Sequence, residues 1–237
     1  MDKNLSIQFL AQLAESESPV QVPLVVSSPS LQSLVLNSIN SPLKTSIDFF
    51  TIWNGLSAGL QLSWPKTQAT EYLENLLLKI QGLSDLILES KAVAHVDEYN
   101  TFTESPELEK LLLVQNLFSN CLECLTSYLK KNHQSIDYEK VARTCCRVIG
   151  AAPQTVSLVE SVAFFFDYLV QKQLYINIDV NLFKTVYQVI GKSNLSSCQS
   201  VLRLHTLDLL CGLSLISRTN EENPNLYKVN NYFHHFR

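Results

Sequence analysis

Apolar residues recur along most of this chain at intervals of three and four. Leu73, Leu76, Ile80, Leu83 and Ile87 form one such series, and Val156, Val159, Ala163, Phe166 and Val170 form another. Between them, Leu108, Leu111, Phe118, Leu122, Leu125 and Leu129 keep the rhythm with one interruption at Gln115. That interval returns to one side of an α-helix, so each series predicts a helix with a single apolar stripe. Val201, Leu202, Leu204, Leu207, Leu209, Leu210, Leu213, Leu215 and Ile216 instead surround the axis. A helix apolar on nearly every side is expected to be covered on nearly every side. Only Leu174 to Val180 shows a short strand-like alternation.

Prolines mark the boundaries, because proline lacks the amide donor of a helix interior while its φ suits the first turn. Ser28-Pro29, Ser41-Pro42, Ser105-Pro106 and Asn223-Pro224 each place a capping side chain before the ring, and Pro65 and Pro153 also head apolar runs. Asp137, Asp179 and Ser196 suggest further starts. The predicted helices lie near 5–15, 29–40, 42–62, 66–92, 106–131, 138–150, 154–172, 180–191, 196–217 and 224–236. The stretch from Val96 to Ser105 is polar and acidic, so the two long helices around it, each about 40 Å, are expected to fold back as an antiparallel hairpin.

Composition narrows the class. Six glycines in 237 residues disfavour folds built on glycine-rich phosphate loops and many tight turns. Together with abundant leucine this predicts an all-α protein, helices packed on helices. A net charge of −4 supplies no global positive field for nucleic acid. The start, MDKNLSIQFLAQLAESES, lacks the basic and apolar regions of a secretory signal, and the six cysteines lie in helical stretches. Reduced thiols and an intracellular protein, cytoplasmic or nuclear, are therefore expected. No uncharged stretch predicts a membrane span.

Several motifs approach known chemistry. Gly55-Leu56-Ser57-Ala58-Gly59 matches a serine-hydrolase elbow, but that turn must follow a strand, whereas Leu43 to Leu62 predicts a helix. Small residues permitting close helix contact explain it better. Cys121-x-x-Cys124 with Cys145-Cys146, and His133 between them, approaches a zinc spacing; the adjacent second pair argues against it, and small core residues are the expectation. Gly191-Lys192-Ser193 lacks the earlier glycine of a phosphate loop, and His234-His235 point about 100° apart on a helix. Ser105, before Pro106, would carry a phosphate at a helix start, although capping already explains it. No catalytic residue, cofactor or metal site is assigned.

Two surfaces are candidates for partner binding. Lys140, Arg143 and Arg147 share one side of a helix whose other side carries Val141, Cys145 and Val148, and would suit an acidic peptide or a phosphate-bearing surface. Leu226, Val229, Phe233 and Phe236 form a stripe that needs something to cover it. Helix-pair starts near 29, 65, 106, 138 and 180 are separated by about 36, 41, 32 and 42 residues. In this architecture the chain resembles a HEAT/armadillo-like α-solenoid, with an irregular helical bundle as the alternative.

A single all-helical domain over 1–237 is expected, with a looser part over 1–64 and an acidic loop near 96–105, and the resemblance makes 224–237 a repeat helix without its mate. It also implies a non-enzymatic scaffold or adaptor binding other proteins, with the C-terminal edge open to oligomer formation. A nuclear, chromosome-associated scaffold and a serine hydrolase using Ser57 are the alternatives.

Overall fold

The computed structural model describes residues 29–90, 106–132, 134–151, 155–194 and 200–217. They form eight helices: α1 (Pro29–Ile39), α2 (Ser46–Gln61), α3 (Lys66–Glu89), α4 (Pro106–Lys131), α5 (Tyr138–Ala151), α6 (Val156–Gln171), α7 (Val180–Asn194) and α8 (Ser200–Ile216). The protein is all-α. The predicted helices at 5–15 and 224–236 lie outside the described residues. Leu174 to Val180 yields one isolated parallel bridge, Ile176 to Ser217, and no strand.

Two starts differ from expectation for a local reason. α2 begins at Ser46 rather than Pro42, because Thr45 and Asp48 form a capping box. Thr45 Oγ1 accepts from Asp48 N at 3.3 Å, and Asp48 Oδ2 accepts from Thr45 N at 3.0 Å, satisfying two amides that the first turn leaves open. Likewise α6 begins after Thr155, whose hydroxyl accepts from Leu158 N at 3.2 Å. α6 ends in a Schellman turn, with Leu174 N donating to Leu169 O and Gln173 N to Val170 O. Gln173 there takes φ 54°, a left-handed conformation that glycine adopts at least cost.

Contacts cluster into two compact units, 1–134 and 135–237, a division that the sequence analysis did not mark. In the first, α1 packs on α2 and α3, and both pack on α4. The second repeats this wiring, with α5 on α6 and α7, and both on α8. Each unit is thus two helical pairs laid side by side.

In the first unit the stripes of α3 and α4 are buried, Leu73 through Ile87 against Leu111 through Leu129. Their antiparallel course follows from Tyr128, near the end of α4, whose ring meets Tyr72 near the start of α3 with centroids 5.2 Å apart. Gln115, the polar interruption, is fully buried as well. Lys79 Nζ donates to Ser41 O at 3.0 Å and so ties α3 to the turn after α1; burial lowers its pKa. In the second unit the core gathers around Phe165, Phe166 and Leu169, all fully buried. Among the described residues no helix is long and apolar enough to cross a membrane.

Candidate functional site

The glycines of the Gly55-to-Gly59 motif sit inside α2, where they serve close packing. A Cβ on Gly55 would lie 2.8 Å from Ser38 Cβ on α1, and one on Gly59 would lie 2.6 Å from the Tyr72 ring. Trp64 stacks on that same ring at 4.6 Å, and its Nε1 donates to Gly59 O at 2.8 Å. Ser57 is not on a strand-to-helix turn. Its hydroxyl donates to Trp53 O at 3.2 Å, a local back-bond within α2.

Cys121 and Cys124 lie on α4 in the first unit, and Cys145 and Cys146 on α5 in the second; all four are buried and unpaired. Burial pushes the thiols of Cys121 and Cys146 up to about 12, and also raises those of Cys124 and Cys145. A thiol held protonated is a weak nucleophile and a weak metal ligand. Among the described residues no three His, Cys, Asp or Glu side chains gather where they could hold a metal ion; His133 lies outside them. Gly191-Lys192-Ser193 falls within α7, which runs helical to Asn194. Ser105, His234 and His235 are outside the described residues.

The basic face is present, with an amendment. Val141, Cys145 and Val148 are buried, while Lys140, Arg143 and Arg147 are exposed on the opposite side of α5. Arg143, however, is committed within its own unit. Its guanidinium pairs with Glu139 and donates to Asn177 O at 2.9 Å, tying α5 to the segment between α6 and α7. Lys140 and Arg147 are the side chains of this face that the fold leaves outward. Leu226, Val229, Phe233 and Phe236 lie outside the described residues.

The sequence expectation for α8 is corrected. Leu202, Leu209, Leu210, Leu213 and Ile216 are buried, but Val201, Leu204, Leu207 and Leu215 are 53, 57, 41 and 61 % exposed. Within its unit α8 packs on α6 and α7. Between α6 and α8 runs a groove of about 480 Å³, lined among others by Glu160 and Asp167 on α6 and by His205, Asp208, Cys211 and Leu215 on α8. His205 Nε2 stands 3.9 Å from Glu160 Oε1. The groove escaped sequence reading because its acidic residues come from two helices separated in the chain. The helical spacing of Glu160 and Asp167, seven apart on one face, was the available signal. In the first unit α2 similarly leaves Ile47, Phe50 and Trp53 exposed.

Compared with known protein families, curated proteins and solved structures, the chain matches none of them.

Proposed function

We propose that this protein is a non-enzymatic helical-repeat scaffold, of the HEAT or armadillo kind, that acts inside the cell by binding other proteins. The observation that carries the reading is the wiring shared by the two units. First helix on second and third, and both on the fourth, is the contact pattern of stacked helical pairs, in which each layer touches only its neighbours. Such layers leave ridges and grooves on their outer sides. Here those sides include the apolar residues Ile47, Phe50 and Trp53 of α2 and the cations Lys140 and Arg147 of α5. Exposed aromatic residues on the one unit and an exposed arginine on the other are residue types that binding hot spots favour. Buried, unpaired thiols support a reducing compartment.

Quantitative proximity labelling with the full-length chain tests the reading. The wild type is compared with Ile47→Glu/Phe50→Glu and with Lys140→Glu/Arg147→Glu, each verified as folded by circular dichroism. A discrete set of proteins depleted about tenfold in at least one variant is expected, equivalent to about 1.4 kcal/mol of binding. An interactor set unchanged in both variants would remove the proposal.

A further inference from the structure

α6 and α8 run side by side in the same direction. His205 Nε2 stands 3.9 Å from Glu160 Oε1, and further along both helices a Cβ on Gly212 would meet Phe166 Cβ at 3.0 Å. These two contacts set the order of groups along the groove between the helices. With Glu160 at one end and a rise of about 1.5 Å per residue, Asp208 lies about 4.5 Å along and Asp167 about 10.5 Å along. Val170 and Leu215 face each other at the far end, about 15 Å away. All three carboxylates are exposed. Among the described residues none of them pairs with a lysine or arginine: Glu160 faces His205, and Asp167 accepts from the neutral Gln171 Nε2 at 2.6 Å. Beside Asp208 and Cys211, at intervals of four, three and four on the same side of α8, stand the exposed Leu204 and Leu215. An apolar rim bordered by polar groups is characteristic of an interaction site.

We infer that this groove binds a basic amphipathic helix of another protein. Read along α6, lysines or arginines at i, i+3 and i+7 of that helix meet the three carboxylates, and apolar residues at i+10 and i+11 seat against Val170 and Leu215. Three features select this occupant. Each wall runs for about three helical turns, and two helices lying side by side accept a third in the furrow between them at the usual 8–10 Å between axes, about one helix diameter. The steps between carboxylates, about 4.5 and 6 Å, are those between residues three and four apart on one helical face. The charge is complementary to a basic segment, whereas a nucleic acid, an anionic membrane or an acidic peptide would be repelled. The groove uses none of the α2 and α5 side chains named above. Although its assignment rests on the protein-binding reading, peptide binding and proximity labelling are therefore separate readouts, and either can fail alone.

The probes are two fluorescein-labelled, alanine-based peptides of about 20 residues, long enough to be helical in isolation, one the reverse sequence of the other. Both carry Arg at i, i+3 and i+7 and Leu at i+10 and i+11; a control of equal composition spreads the Arg residues to i, i+5 and i+9, around the helix. With the full-length chain, fluorescence anisotropy is expected to give a Kd below about 50 μM for at least one probe, and a value at least about tenfold weaker for the control. The Asp167→Lys/Asp208→Lys variant, verified as folded by circular dichroism, is expected to lose at least about tenfold in affinity for the same probe. In a second measurement on the unaltered chain, saturating peptide is expected to slow alkylation of the exposed Cys211, followed by peptide mass, about tenfold. Equal binding of probe and control, unchanged binding by the variant, or a Cys211 rate that peptide does not move would overturn the assignment. Protection of Cys211 without peptide would overturn it too, placing the chain's own residues in the groove if constant and a second copy there if it rises with protein concentration.

Discussion

In both units the first helix packs on the second and third and those two on the fourth, yet the closest approaches in the two are different in kind. The first unit closes on an aromatic cluster: Gly59 lets the Tyr72 ring lie against α2, and Trp64 and Tyr128 hold its two sides. It also buries many polar groups, among them Gln32, Ser84, Gln115, Ser119 and Thr126. Several of these are satisfied within the unit, Gln32 Nε2 donating across it to Ser63 O at 2.9 Å and Thr126 Oγ1 donating locally to Leu122 O at 2.7 Å. The second unit closes on phenylalanines, with a Cβ on Gly212 of α8 meeting Phe166 Cβ of α6 at 3.0 Å. It adds ties to an irregular segment, Arg143 to Asn177 O and Ile176 N to Ile216 O. One wiring thus accepts two fillings. Apolar stripes decide which helices meet, while small residues and single polar ties decide how closely.

The largest test of this contrast is Phe166→Ala, which leaves a cavity where α6 and α8 meet. A loss of about 3–5 kcal/mol is expected in urea unfolding. Hydrogen exchange should accelerate first in α6 and α8. Next comes Gly59→Val, expected to cost about 1–3 kcal/mol because the fully buried Tyr72 ring has nowhere to retreat. Gly82→Ala, with open space around it, should instead stabilise by up to about 1 kcal/mol, and a shared sign for the two would break the close-contact account.

The thiols provide a test in which the units should behave alike. Cys121 in one and Cys146 in the other are raised from 9.0 to about 12 by burial, so the folded state retains protons that the unfolded state loses. Their contribution is fully present below pH 9 and disappears as pH rises toward 12. Urea midpoints should therefore fall through that window, and fall less when either cysteine is replaced by alanine.

Smaller still is Tyr72→Phe. The Tyr72 hydroxyl is buried with no hydrogen-bond partner among the described residues, so its removal is expected to be neutral or to stabilise by up to about 1 kcal/mol. In the second unit, Gln173→Gly at φ 54° should gain about 0.5 kcal/mol, read as a small rise in thermal midpoint.

Much of the architecture could be read in the residues. The long hairpin of α3 and α4 follows from periodicity together with the polar stretch between the two helices, and a face of α5 with cations opposite Val141, Cys145 and Val148 follows from periodicity alone. α2 and α6 began later than proline placement suggested, because Thr45 and Thr155 supply the caps and a capping hydroxyl competes directly with proline as the start signal. The candidate surfaces were less legible. Arg143 looked like one of three equivalent cations until Asn177, 34 positions away, accepted its hydrogen bond. The groove between α6 and α8 draws on residues from 160 to 215, and no local pattern marks such a pairing.

Periodicity, caps and scarce glycine were enough to determine that this chain is helical, roughly where its helices run and which side of each seeks cover, since these depend on neighbours within a few residues. Which helix supplies that cover is a long-range matter. α6 and α8 show the distinction: both are rich in apolar residues, yet α6 is buried along most of its length while α8 keeps Leu204 and Leu215 outward. Burial is a property of what packs alongside, and only the tertiary arrangement determines that.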